Sequence, residues 1–258
     1  MRNIQTVAAN TFLEAVRDRV LYNLVFFALL MMGAAILVGQ ISIGIEQDVI
    51  VSLGLSAISV IGIFIAVFLG VALVSREMDK RTLYALLAKP VKRWEFLLGK
   101  FFGLVMTLTV NTAAMAAGLY MALWSVKHPL LKSDAFILVA VYLILLKLAI
   151  IVALALLFSC FTTPFLAILF TAGIYVAGLF ADDLRTIQGV DLDPGAMRLM
   201  RGISYLLPNF QNFNVMGAVV HGHGVPGAIV WQATLYAILY IAIVLTGAAV
   251  VFSRRNLK

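Results

Sequence analysis

The chain has 258 residues, 63% of them hydrophobic and only 12% charged, with a formal charge of +7 and a mean hydropathy of +1.06. Soluble domains run at roughly 45–50% apolar and about 25% charged, so too few polar residues remain here to coat a water-soluble surface. A soluble globular fold is excluded, and with it a basic soluble face for nucleic acid.

In chain order, residues 1–20 read first as an amphipathic helix. Ile4, Val7, Ala8, Phe12, Ala15 and Val16 recur at helical spacing, while Gln5, Asn10, Glu14, Arg17 and Asp18 lie elsewhere on the wheel. Such a helix lies in the membrane interface or simply extends the first span. Arg17 and Arg19 precede a long apolar run, not a short one with a small-residue cleavage site, so the first span is read as uncleaved.

A bilayer core requires about 20 mostly apolar residues per helix. Six stretches qualify: 21–39, 51–74, 101–124, 135–158, 165–181 and 227–252, the fifth being the shortest. Pro164 lacks the N–H that would continue a helix, so spans four and five should form a tight hairpin. With the N-terminus inside, thirteen Lys and Arg fall in cytoplasmic segments and five in outer loops, Lys147 being the remaining one. The basic excess therefore places both termini in the cytoplasm.

The polar segment 75–100 carries Arg76, Glu77, Asp79, Lys80, Arg81, Lys89, Lys92, Arg93, Glu95 and Lys100 beside an apolar stripe of Leu83, Leu86 and Leu87. A short helix is predicted from near Arg76 to Ala88, broken at Lys89 by Pro90. A turn between spans needs only a few residues. This longer one suits a protein partner, the alternative being a loop that only fixes topology.

The outer loop 182–226 should hold an amphipathic helix. Asp193 and Pro194 form a start signal, Ala196, Leu199, Met200, Ile203, Leu206 and Leu207 one apolar face, and Pro208 the end. The following Asn209-Phe210-Gln211-Asn212-Phe213-Asn214 mixes amides with aromatics. Such backbone is tolerated near membrane depth only when packed in protein or lining a wet cavity.

Chemistry is sparse. No phosphate loop, dinucleotide fingerprint, zinc-protease or nucleophile-elbow motif occurs, so no nucleotide site and no catalytic residues are expected. Cys160 is the only cysteine, which excludes an intrachain disulfide. His221 and His223 sit among glycines and read as a solvated loop; no metal site and no cofactor are expected on this chain. Asp182 and Asp183 read as a solvated turn. Lys147, mid-span, costs roughly 2.5–3.5 kcal/mol to insert and should face the bundle interior or a wet cavity. It either belongs to a translocation path, together with Asn111, or pairs structurally with a buried amide such as Asn111. Since the spans carry no acidic residue at mid-depth, ion-coupled secondary transport is disfavoured.

Four stretches resemble the membrane subunits of ABC-2 type transporters, in particular the branch known as multi-copper enzyme maturation permeases. They are TFLEAVRDRVLYN (11–23), FLGVALVSREMDKRTLYALLAKPVKRWEFLLGKFFGL (68–104), LPNFQNFN (207–214) and FSRRNLK (252–258). The second is the specific one: Glu77 after the span, Arg81-Thr82 where many members have Gly-Thr, the pair Leu86-Leu87, and Pro90 to Arg93. The resemblance implies an all-α membrane protein: a six-helix bundle, an N-terminal elbow helix, a cytoplasmic coupling helix and an interfacial or re-entrant helix before the last span. It also implies two separate ABC ATPase subunits that bind ATP and Mg, and a second permease copy or a related permease. Docking would use Tyr84, Leu83, Leu86 and Leu87 as a plug rimmed by Glu77, Asp79, Arg81 and Arg93. The implied place is the cytoplasmic membrane of a bacterium or archaeon, in contact with lipid. The implied function is a permease subunit; the alternative is a membrane scaffold that uses an ATPase mechanically without moving a solute. No Met/His/Cys ladder points to copper passage.

Overall fold

The computed structural model describes residues 2–18, 45–79, 92–126, 132–186 and 204–254, with isolated positions between 22 and 39 and at 202. Its helices in chain order are α1 (Arg2–Val16), α2 (Glu46–Asp79), α3 (Arg93–Val126), α4 (Phe136–Ser159), α5 (Pro164–Leu179), α6 (Ala181–Thr186), α7 (Met216–Val220) and α8 (Gly227–Arg254). Single 3-10 turns occur at Lys132–Ala135 and Phe210–Phe213. Among the described residues there is no strand. In hydrocarbon, each backbone N–H and C=O must be satisfied within its own segment, and helices do this locally.

Within α2, α3, α4 and α8 lie four stretches long and apolar enough to cross a bilayer, and α5 is a shorter apolar helix. The expected first span, 21–39, falls mostly outside the described residues. Its described positions are helical, with Tyr22, Phe26, Leu30 and Leu37 exposed. The chain is an integral membrane protein. Its large exposed apolar side chains, such as Phe102, Leu138, Phe165 and Trp231, are the surface that lipid covers.

Two boundaries differ from expectation. α2 and α3 each run for 34 residues, about 50 Å of helix against a hydrocarbon core of about 30 Å. Residues 76–79 thus continue α2, and 93–100 already belong to α3. Charged side chains end the apolar pattern without ending the helix, since the backbone ladder persists once it has left lipid.

α4 is the central helix, packed against α2, α3, α5 and α8. From Leu148 to Leu156 it is buried all round. Gly62 lets α2 come close: a Cβ there would sit 2.6 Å from Leu148 Cδ1. α8 turns Ala233, Ala237 and Ala248 inward and Trp231, Leu235, Leu239 and Ile243 outward, the small-residue packing expected between helices in lipid. The α4–α5 hairpin closes through Cys160–Thr163, with Pro164 at the first helical position, where a missing N–H costs nothing.

The bundle has two distinct ends. At one, α1, the start of α3, the α4–α5 turn and the end of α8 meet in a cluster of Val7, Phe96, Leu97, Cys160, Ala248 and Phe252. At the other, Asp48, Leu123, Asp134 and His221 line a shallow recess. The described beginning and end of the chain lie at the same end of the molecule.

Candidate functional site: a lysine-floored cavity and the α1 end

A cavity of about 420 Å³ enters the bundle from the end opposite α1. Its floor holds Lys147 and Ser59, its walls include Leu55, Ile144, Tyr175 and Phe213, and its mouth carries Asp183 and Asn214. Lys147 is the twelfth residue of α4, and its Nζ donates to Ser59 Oγ of α2 at 2.6 Å. An ammonium has three N–H donors. Among the described residues the other two have no partner, and no carboxylate lies within ion-pair distance. This cavity meets the expectation that a mid-span lysine faces the bundle interior.

Asn111 does not share the site. It lies buried on α3, and its Nδ2 has no hydrogen-bond partner; the cavity lining leaves it out. Lys147 is partnered by Ser59, a residue 88 positions away in sequence that the sequence reading did not single out.

The amide-aromatic stretch 209–214 forms a plug beside the cavity. Phe210 and Phe213 are buried, with ring contacts to Tyr175 and Tyr236 at centroid distances of 5.2 and 6.2 Å. Asn209 is the keystone. Its N–H donates to Tyr236 Oη at 2.9 Å, its Oδ1 accepts the Gln211 N–H at 3.0 Å, and its Nδ2 donates to Asp182 at 3.4 Å. Gln211 Nε2 reaches the Leu179 carbonyl at 3.3 Å. The stretch is thus both packed in protein and cavity-lining, the two conditions under which irregular backbone survives at such depth. The predicted amphipathic helix, from Asp193 to Leu207, lies mostly outside the described residues; 202 and 204–206 are helical.

At the other end α1 is seated on α3. Val7, Thr11 and Ala15, four residues apart, are its buried line. They face a G-x-x-x-G pair that sequence reading passed over: a Cβ at Gly99 would sit 2.6 Å from Val7 Cβ, and one at Gly103 2.6 Å from the Ala8 carbonyl oxygen. Lys100, between them, is 2% exposed and pairs with Glu14 at 3.6 Å. Asn3 Nδ2 donates to Glu95 at 3.2 Å. The missed signal was the spacing of two glycines inside a polar-to-apolar transition.

Of the expected ATPase-docking residues, Arg81, Thr82, Leu83, Tyr84, Leu86, Leu87 and Pro90 lie outside the described residues. Glu77 and Asp79 are described only as backbone at the end of α2. Arg93 is placed. Its guanidinium donates to the carbonyls of Phe252 at 2.8 Å and Ser253 at 3.1 Å, and lies over the Phe252 ring. It therefore ties the start of α3 to the last described turn of α8. His221 and His223 are exposed, and among the described residues no cluster suited to a metal ion is found.

Compared with known proteins, residues 5–257 match the model of a family described as ABC-2 family transporter protein. No curated protein matches the chain.

Proposed function

Since the chain belongs to the ABC-2 transporter family, whose members serve as membrane permease subunits of ABC transporters, we propose that segment 75–93 couples it to two separate ATPase subunits. ATP and Mg are handled on those partners, and the permease works beside a second copy of itself or a related chain. The end carrying α1 is cytoplasmic, and the cavity opens outward.

The observation that carries this reading is the length and clamping of α2 and α3. Both run for 34 residues, longer than a hydrocarbon core of about 30 Å requires, and they bracket segment 80–91. A push on that segment would reach the cavity through α2, which carries Leu55 and Ser59 of its lining. Arg93 ties the same base to the end of α8. A floored cavity favours movement of a substrate over the scaffold reading. The six-span count and the multi-copper branch belong to this proposal too, and the substrate is taken up below.

The test is co-purification with the ATPase encoded beside this chain, with hydrolysis measured in liposomes. Leu86→Asp should leave insertion intact and weaken ATPase capture by about 30-fold or more, since truncating a central anchor commonly costs about 2 kcal/mol or more. Unchanged capture and stimulation would reduce the segment to a topology loop. Arg93→Gln should act differently: capture largely kept, hydrolysis poorly coupled to movement, because Arg93 holds α3 to α8.

Orientation has its own expected result. In a Cys160→Ala background, a cysteine at Lys92 should react with an impermeant maleimide only from the cytoplasm, and one at His223 only from outside. Both positions are exposed. Labelling of both from one side would overturn the assignment of the two ends.

A further inference from the structure

We infer that the Lys147 cavity binds the head of an anionic amphiphile, a carboxylate or phosphate carrying an apolar chain. The inference rests on the permease reading for its meaning as a substrate site, while the binding itself does not depend on it.

Three features specify the ligand. The first is charge. Lys147 Nζ uses one donor on Ser59 and has two more for an acceptor within the cavity. A cation at the floor of a mostly apolar chamber attracts an anion strongly, because charge-assisted hydrogen bonds gain where water is scarce.

The second feature is the wall. Tyr175, Phe210, Phe213, Leu55 and Ile144 give the chamber an apolar lining that a small hydrated anion would not use. At about 420 Å³ it is large enough for a head group and the first part of a chain, and small for a whole lipid.

The third is depth. Counted from the α4–α5 turn at 1.5 Å per residue, Lys147 lies about 18 Å along α4 and Leu179 about 22 Å along α5. Leu179, where α5 ends, also lines the cavity. The rim therefore stands only about one helical turn above the ammonium, within a hydrocarbon layer of about 30 Å. Phe180 at that rim is 57% exposed. A ligand reaching this opening comes from the acyl layer as readily as from water, which suits an amphiphile.

The experiment uses the full chain, without any ATPase, in phosphatidylcholine nanodiscs, and a diazirine-bearing palmitate as photoprobe. Adducts should map to the cavity walls. Lys147→Gln should cut labelling by about tenfold, the factor that a hydrogen bond to a charged group commonly carries, and Lys147→Arg should largely keep it. Excess dioleoyl phosphatidic acid should compete, whereas palmitamide and inorganic phosphate should not. Competition by inorganic phosphate would make the ligand a free anion and overturn the amphiphile. Equal competition by palmitamide, or full labelling of Lys147→Gln, would leave an apolar groove with no role for the charge and overturn the proposal as a whole. Should Lys147→Gln fail to elute as a folded species, Asn214→Trp decides: it blocks the mouth at an exposed position with Lys147 intact, and unchanged labelling would equally refute the site. Binding with failed ATPase capture would refute the permease reading alone; capture without binding would refute only this one.

Discussion

Gly103→Leu should unseat α1 from the bundle. Even the first carbon of a new side chain would stand 2.6 Å from the Ala8 carbonyl oxygen and 2.6 Å from Thr11 Cβ. A backbone oxygen cannot swing aside as a flexible side chain can, so the helices must separate. Overpacking of this kind costs typically 1–3 kcal/mol, occasionally more. Here separation also withdraws Glu14 from Lys100, which is 2% exposed, and weakening a buried ion pair adds to that cost. The combined effect should exceed about 3 kcal/mol. Hydrogen exchange reads it directly: amides of 2–16 should lose protection while those of α4 keep theirs. Phe102→Leu, at a half-exposed neighbour pointing away from α1, is the control. Protection of α1 equal to the parent's in Gly103→Leu would mean the glycine pair does not form the seat.

The consequence is functional as well as structural. α1 sits on the first turns of α3, directly after the segment proposed to meet the ATPase, and Arg93 in the same turns holds α8. α1, α3 and the last helix are thus held together at this end. A detached α1 should leave the permease inserted, because the spanning helices keep their own contacts, while blunting the transfer of motion.

How much of this was legible in the sequence follows from which interactions are local. Apolar runs were readable because lipid imposes a length and a composition, and α4 differs from its expected bounds by one residue at each end. The face of α1 was readable because its period is internal to it. The start of α3 at 93 and the run of α2 through 79 were not, since charged residues mark the edge of lipid and say nothing of how far the backbone ladder runs. Partners were hidden wherever they lay far off in sequence. Nothing around Lys147 points to Ser59, and nothing in 1–20 points to Gly99 and Gly103. The plug at 209–214 is the instructive middle case. Its oddity was visible as amides among aromatics at membrane depth, and the rule that such backbone must be packed or wet gave the right kind of answer without giving Tyr236 or Gly178 as the surfaces involved.

Gly178→Leu should displace that plug. A Cβ at this position would meet the Pro208 carbonyl oxygen at 2.5 Å and the Phe210 ring at 2.7 Å, so α5 touches the backbone of the plug through a glycine and nothing larger. Moving the plug outward breaks more than packing. The Asn209 N–H loses Tyr236 Oη, Gln211 Nε2 loses the Leu179 carbonyl, and Phe210 leaves Tyr175. Overpacking of about 1–3 kcal/mol is then joined by the Asn209 N–H, on a buried residue, left without its partner at a cost of about 1–3 kcal/mol. A loss of about 3 kcal/mol or more is expected, measured as a lower midpoint in a denaturing-detergent titration. Amide exchange should rise at 210–214 and not along α4. Gly173→Leu provides the control on the same helix, because nothing lies within 4 Å of a Cβ there and the residue faces outward. Two variants with indistinguishable midpoints would show that the close approach at Gly178 carries no weight. With a selective loss at Gly178, the cavity should widen at its mouth, and labelling by the palmitate probe should spread from the walls to lipid-facing residues of α5. The plug would then be the element that shapes the chamber above Lys147, holding its aromatic wall in register with the ammonium below.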